Sequence, residues 1–340
     1  MDYCGMDVGK KSSNICIVDE KRRILREGKV RNRLPEMART FGALPPMRIV
    51  LEASGKAFWL AERLREFGHE PIVVDPGRTK AIGSAKIKHD KLDARILAEL
   101  CAADLLAVVE PPTEEQRHSR MSVVARDGLV RSRVRLVNMV RGMLDSEGFE
   151  VRKCSLDTFV KKATECWEEL PEEMASALEP LITAIHMLTE QIAHCDSRLA
   201  EAVSKDDDAK LLMTTPGVGP VVVAYFMMAV RDPGRFRSGR QVGAYLGLVP
   251  SLYQSGLTFR RGRITKRGNS AARWALCCAA NVLLGPKMRG DCALREWGLR
   301  LVERLGRKKA VTAVARKLAV VMWAMWKKQA VFEPRLSAAA

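Results

Sequence analysis

Gly5-Met-Asp7-Val-Gly9 and, later in the chain, Lys88-His-Asp90-Lys-Leu-Asp93-Ala94 are the two stretches whose reading decides the fold. In the first, an acid sits inside an apolar run, Tyr3–Val8, that reads as a buried strand. A carboxylate in such a strand is costly unless it is paired or binds a cation. In the second, two acids three residues apart share one side of a helix. They repel each other unless a cation lies between them. The helix itself, Asp90 to Ala102, is read from the spacing of Leu92, Ile96, Leu97, Leu100 and Cys101. Taken alone, Asp90 reads equally well as its N-cap.

Working outward, Asn14–Val18 and Ile24–Val30 read as strands that follow the first through short turns, which makes hairpins. A short helix at Leu34–Phe41 precedes a strand at Arg48–Glu52, which ends on a further acid just before Ala53-Ser-Gly55. A helix at Ala57–Phe67 and a strand at Pro71–Val74 follow. Hairpins first, then strands alternating with helices, predict a mixed sheet of α/β type. The acids then fall in the order strand Asp7, strand Glu52, helix Asp90 and Asp93. If they converge they suit Mg²⁺ or Mn²⁺, hard ions that prefer oxygen ligands. Two such ions about 3.5–4 Å apart serve phosphoryl transfer.

Net charge is +17, and its distribution says more than its size. Arg231 to Lys328 carries 22 Lys and Arg against 4 Asp and Glu, so the remaining residues sum to −1. A near-neutral front and a basic back end is the footprint of a polyanion-binding domain attached to something else. Within the basic part, Gln254-Ser255-Gly256 reads as a loop ahead of Arg260, Arg261, Arg263, Lys266 and Arg267. Neighbouring cations can turn a serine into a nucleophile on a phosphodiester. The plainer alternatives are a turn hydroxyl and non-specific phosphate binding, and Ser251 and Ser270 lie close by. Thr215-Pro-Gly217-Val-Gly219-Pro220 lies between apolar helical stretches. It reads as a helix-hairpin-helix element that offers backbone amides to phosphate through Gly217 and Gly219, or as a tight turn between packed helices.

Between these parts, Thr113 to Glu147 is helical and rich in arginine from Arg117 to Arg141, for nucleic-acid contact or as a solvated face. Pro171 to Val203 is a second long helix, with Leu178, Ile182, Ile185, Ile192 and Leu199 spaced for a coiled-coil seam or an ordinary bundle. The charged run Ser204–Lys210 reads as a linker. In the last helix, Gly306 to Lys328, Trp323 and Trp326 read as core anchors rather than base-stacking platforms. The uncharged stretches Leu211–Val230 and Gln241–Phe259 are broken by Pro, Gly and polar residues, so no membrane span is expected. The nine cysteines include no CxxC pair, which argues for thiols in a reducing cytosol rather than a zinc site. No apolar leader is expected either, which points to the cytoplasm.

The order of acids, with the strings Gly5-Met-Asp7-Val-Gly9-Lys10, Glu52-Ala-Ser-Gly55 and Lys88-His-Asp90-Lys-Leu-Asp93-Ala94, resembles the RuvC-like branch of the RNase H superfamily. With the serine–glycine motif added, the chain resembles insertion-sequence transposases of the bridge-RNA-guided recombinase kind. The resemblance implies an RNase H-like domain at 1–108, a helical or coiled-coil connector at 109–208, a mainly α transposase domain at 209–332 and a tail at 333–340. It implies Asp7, Glu52, Asp90 and Asp93 as metal ligands and Ser255 as the nucleophile of a phosphoserine intermediate. It implies donor and target DNA chosen through a structured non-coding RNA, and a homo-oligomer, a tetramer, at the nucleoid. A junction-resolvase-like nuclease would use the same acids with water and leave Ser255 idle. A non-catalytic binder would leave four acids unexplained beside a polyanion.

Overall fold

The parallel strands β4 (Arg48–Glu52) and β5 (Glu70–Val74) carry unbroken apolar runs, Ile49–Leu51 and Pro71–Val74, because both faces of this part of the sheet are covered. The computed structural model describes residues 1–75, 90–106, 108–165, 167–255, 258–288, 290 and 292–334, without the side chains of residues 90, 91 and 168. Lys88, His89, Cys166, Gly256 and the carboxylate of Asp90 therefore lie outside the description. The described residues form two compact units, Met1–Thr113 and 114–340.

The first unit holds β1 (Tyr3–Val8), β2 (Ser12–Val18), β3 (Ile24–Arg31), α1 (Leu34–Phe41), β4, α2 (Ala57–Glu66), β5 and α3 (Asp90–Ala102). Its five-stranded sheet has the order β3-β2-β1-β4-β5, antiparallel through the two hairpins and parallel from β1 onward. The α/β expectation holds, and the strand bounds differ from those read in the sequence by at most two residues. On one face Cys4, Met6, Ile49 and Leu51 pack with Phe41, Leu60 and Leu64 of α1 and α2. On the other, α3 lays Ala94, Leu97, Ala98 and Cys101 over Cys16, Val18, Val50 and Val74.

The second unit is helical except for one ribbon. Two 33-residue helices, α4 (Glu114–Ser146) and α6 (Glu172–Ser204), run antiparallel: Arg126 meets Asp196 and Arg133 meets Thr189. Their apolar seam, including Val137, Val140, Leu178, Ile182 and Ile185, also buries Phe159 of the short α5 (Phe159–Thr164). Next come α7 (Asp207–Met213), α8 (Pro220–Val230), α9 (Gly239–Tyr245), the ribbon β6 (Pro250–Ser255) and β7 (Thr258–Ile264), α10 (Ser270–Leu283), α11 (Ala293–Leu305) and α12 (Arg307–Lys328). Small residues on α10 and α12, among them Ala272, Ala279, Ala315 and Ala319, let these helices pack closely in the core.

Three expectations need correction. Ser204–Lys210 is no linker: α6 runs through Ser204, and Asp206 caps α7 by accepting from the Ala209 amide at 3.0 Å. The acid run supplies the cap and first turn of a helix, where negative charge is favoured. Arg126 and Arg133 do not lie on a solvated or nucleic-acid-binding face. Both are buried, paired with Asp196 and with Asp157. Gln254 and Ser255 end a strand rather than lying in a loop. The tryptophans do anchor the core: Trp323 donates to Pro233 O at 2.9 Å and Trp326 to Asp208 Oδ2 at 2.6 Å. Among the described residues no helix is long and apolar enough to cross a membrane.

Candidate active site

Glycine decides how close α3 comes to β1. A Cβ added at Gly5 would lie 1.9 Å from Ala94 O and 2.5 Å from Ala98 N, so only hydrogen allows this approach. Gly5 and Asp7 are two apart on β1 and therefore face the same side, the one covered by α3. On β4 the same alternation puts Glu52 on the face of Val50, which packs under Leu97 and Cys101. The parallel register pairs Met6 with Leu51, so Asp7 and Glu52 lie side by side one step further, at the carboxyl ends of adjacent strands. The carboxyl edge of an α/β sheet is where such folds bind their ligands.

The direction of α3 brings in the last acids. Its end lies by the opposite edge: Asp104, just beyond it, reaches Arg48 at 4.0 Å, and Arg48 opens β4. The amino end of α3, with Asp90 and the half-buried Asp93, thus lies toward Asp7 and Glu52. Among the described residues no three His, Cys, Asp or Glu side chains form a group that could hold a metal ion. The donor set present, carboxylates of Asp7, Glu52 and Asp93, is the hard oxygen chemistry of a divalent site. A second observation fits: the Ser54 hydroxyl, two residues from Glu52, is buried without a hydrogen-bond partner.

The turn after Asp7 is clamped by residues that the sequence reading passed over. A Cβ on Gly9 would meet Ser12 O at 2.5 Å, so the turn needs glycine. Asn32 donates to Gly9 O at 2.8 Å and accepts from the buried Ser13 hydroxyl at 2.6 Å. Lys56 donates to Lys10 O at 2.7 Å, fixing the same turn to the start of α2. None of these carries an acid or a periodicity that would flag it.

In the second unit Ser255 ends β6, exposed, opposite Thr258 of β7. Arg260, Arg261 and Arg263 lie on β7, with Lys266 and Arg267 just past it, all but half-buried Ile264 and Thr265 being exposed from 258 to 267. Arg273 clasps the ribbon's base, donating to the carbonyls of Leu246, Arg267 and Gly268 at 3.1, 2.8 and 3.3 Å. Burial there holds its pKa below the usual guanidinium value. Gly217 has φ +78°, and a Cβ on it would sit 2.9 Å from Ala279 O, so this glycine packs the α7–α8 turn against α10. Gly219 caps α8 in an extended conformation with open space at its Cβ position, and the amides that follow it open the helix.

Two family models match the chain: a transposase model of the DEDD type over residues 4–148, and the "Transposase IS116/IS110/IS902 family" over residues 209–291. A probable family 20 transposase of Pseudomonas aeruginosa is 29% identical over 97% of this chain and 98% of its own length. A putative transposase of Sinorhizobium fredii is 30% identical over 94% and 82%. The transposase for insertion sequence element IS1111A of Coxiella burnetii is 28% identical over 96% and 89%.

Proposed function

Since the chain belongs to the IS116/IS110/IS902 family of transposases, we propose that it cuts and rejoins DNA with a Mg²⁺ or Mn²⁺ site on Asp7, Glu52, Asp90 and Asp93 and with Ser255 as nucleophile. As a transposase it is an enzyme that acts on DNA, and a DEDD-type domain fits dependence on a divalent metal. What supports the metal site is the position of Asp7 and Glu52 at the carboxyl ends of adjacent strands, with the amino end of α3, held close to β1 at Gly5, directed toward the same edge. The metal, when bound, supplies positive charge against the phosphate and the leaving oxygen.

Ser255 is exposed at a strand end beside arginines, so a phosphodiester can reach it and its charge can be neutralised there. Its Oγ forms the bond to phosphorus, and the bond from phosphorus to one deoxyribose oxygen breaks. That oxygen departs as a hydroxyl, taking up a proton equal to the one the serine gives up. A hydroxyl from another strand then reverses the step, restoring the serine and joining new ends. Arg260, Arg261, Arg263, Lys266 and Arg267 hold the strand, and the amides after Gly219 offer a further backbone contact, with Gly217 shaping the turn. Choice of donor and target by a structured guide RNA, and action as a homo-oligomer, a tetramer, at the nucleoid complete the proposal.

The test is cleavage of cognate DNA with Mg²⁺ and co-expressed RNA, resolved on denaturing gels for protein-linked DNA. Wild type gives an adduct; Ser255→Ala abolishes it, and Asp7→Asn abolishes cutting. Free-ended cuts that persist in Ser255→Ala would make the enzyme a metal-dependent nuclease without serine chemistry.

A further inference from the structure

Both faces of the ribbon β6–β7 are open: every described residue from Pro250 to Arg263 is exposed. That is costly, because Leu252, Tyr253 and Phe259 are large apolar side chains, 64%, 63% and 53% exposed, and a lone two-stranded ribbon is marginally stable. The pairing sorts its side chains. Ser255 stands opposite Thr258 and Tyr253 opposite Arg260, on one face; Leu252 stands opposite Arg261 and Gln254 opposite Phe259, on the other. On that second face the Arg261 guanidinium lies over the Phe259 ring, 5.5 Å from its centre.

We infer that the face of Leu252, Phe259 and Arg261, opposite the face of Ser255, is a stacking platform for unpaired nucleobases. The occupant follows from charge and chemistry together. From Pro233 to Gly290 the sequence contains no acidic residue, while the ribbon and its base carry five cations. An apolar ring flanked by guanidinium suits a partner that is anionic along its backbone and flat and apolar at its bases. A duplex hides those flat faces in its own stack and offers only base edges and phosphates, whereas an unstacked strand presents them. Phe259 and Ser255 point to opposite faces of the ribbon, so a base stacked on Phe259 lies across the strand pair from the phosphate at Ser255. The platform rests on the reading above that the chain acts on nucleic acid, and not on the serine chemistry.

The experiment uses the full chain with single-stranded oligonucleotides carrying 5-iododeoxyuridine at successive positions around the cut, irradiated and mapped by mass spectrometry. The expected cross-link is to Phe259. In parallel, single-strand and duplex affinities are measured at two salt concentrations. Phe259→Ala weakens single-strand binding about tenfold, Phe259→Trp restores it and Phe259→Leu does not, with duplex binding and the salt slope unchanged. Cross-links confined to residues outside 250–264, or wild-type single-strand affinity in Phe259→Ala, would overturn the platform. So would a change only in oligomeric state by sedimentation, which would mean that a second copy covers this face. A Phe259 cross-link without any Ser255 adduct keeps the platform and removes the serine chemistry.

Discussion

Gly5→Ala tests whether the packing of α3 on β1 assembles the carboxylates. The added methyl would start 1.9 Å from Ala94 O and 2.5 Å from Ala98 N, both backbone atoms of a helix that cannot bend aside locally. Ordinary contact begins at 3.4 Å, so α3 must retreat by about 1.5 Å. Overpacking of this kind costs about 3 kcal/mol, and it opens the layer of Ala94, Ala98, Cys16 and Val18 as well. In a unit of this size the melting temperature falls by about 10 °C or more. The same retreat carries Asp93 away from Asp7 and Glu52, and a displacement of about 1 Å in a catalytic group can cost about a hundredfold in rate. Scanning calorimetry of the full chain with and without Mg²⁺, beside a DNA-cleavage assay, measures both effects. Gly28→Ala on β3, whose added Cβ meets nothing within 4 Å, is the control and should behave as wild type. A Gly5→Ala protein with wild-type melting and cleavage would refute the claim that this contact builds the site.

Asp196→Ala leaves the buried Arg126 guanidinium without its carboxylate partner and lowers the stability of the α4–α6 pair by about 2 kcal/mol in urea titration. Burial raises the thiol pKa values of Cys16 and Cys101 from 9.0 to about 11 and about 12, and pushes Cys4 higher still. These groups keep their protons longer folded than unfolded. Their contribution is therefore complete below pH 9 and drains away as pH rises through 11 to 12; chemical denaturation across that range, with iodoacetamide labelling by mass spectrometry, follows it. Joint replacement of Arg260, Arg261 and Arg263 by Ala lowers the slope of log affinity against log salt by about 2, if each held a single-strand phosphate.

Much of the fold was legible because burial leaves a periodic trace. Tyr3–Val8, Leu34–Phe41, Arg48–Glu52 and Asp90–Ala102 carry such traces, and their observed bounds match those read from the sequence. The ribbon left none. With both faces in water its residues need no alternation, so Gln254 and Ser255 read as loop. Arg126 and Arg133 misled in the opposite way: arginine in an unpartnered helix reads as surface, and only the facing helix supplies Asp196, while the segment before α6 supplies Asp157. At the candidate site the acids were visible as costly residues in apolar strands. The clamp of Ser13 and Asn32 on Gly9 was not, because a hydrogen bond across 23 residues has no local signature.

The ribbon's exposure also separates two kinds of selection. Because its side chains from Pro250 to Arg263 add nothing to the helical core, while Arg273 secures its base from below, substitutions there escape the penalty that polices Ala279 or Leu318. Folding thus leaves this part of the chain free to vary, and only its proposed contacts with DNA constrain it. Among relatives, an exchange of residues 250–255 and 258–263 would therefore swap a removable tip and leave the handle unchanged.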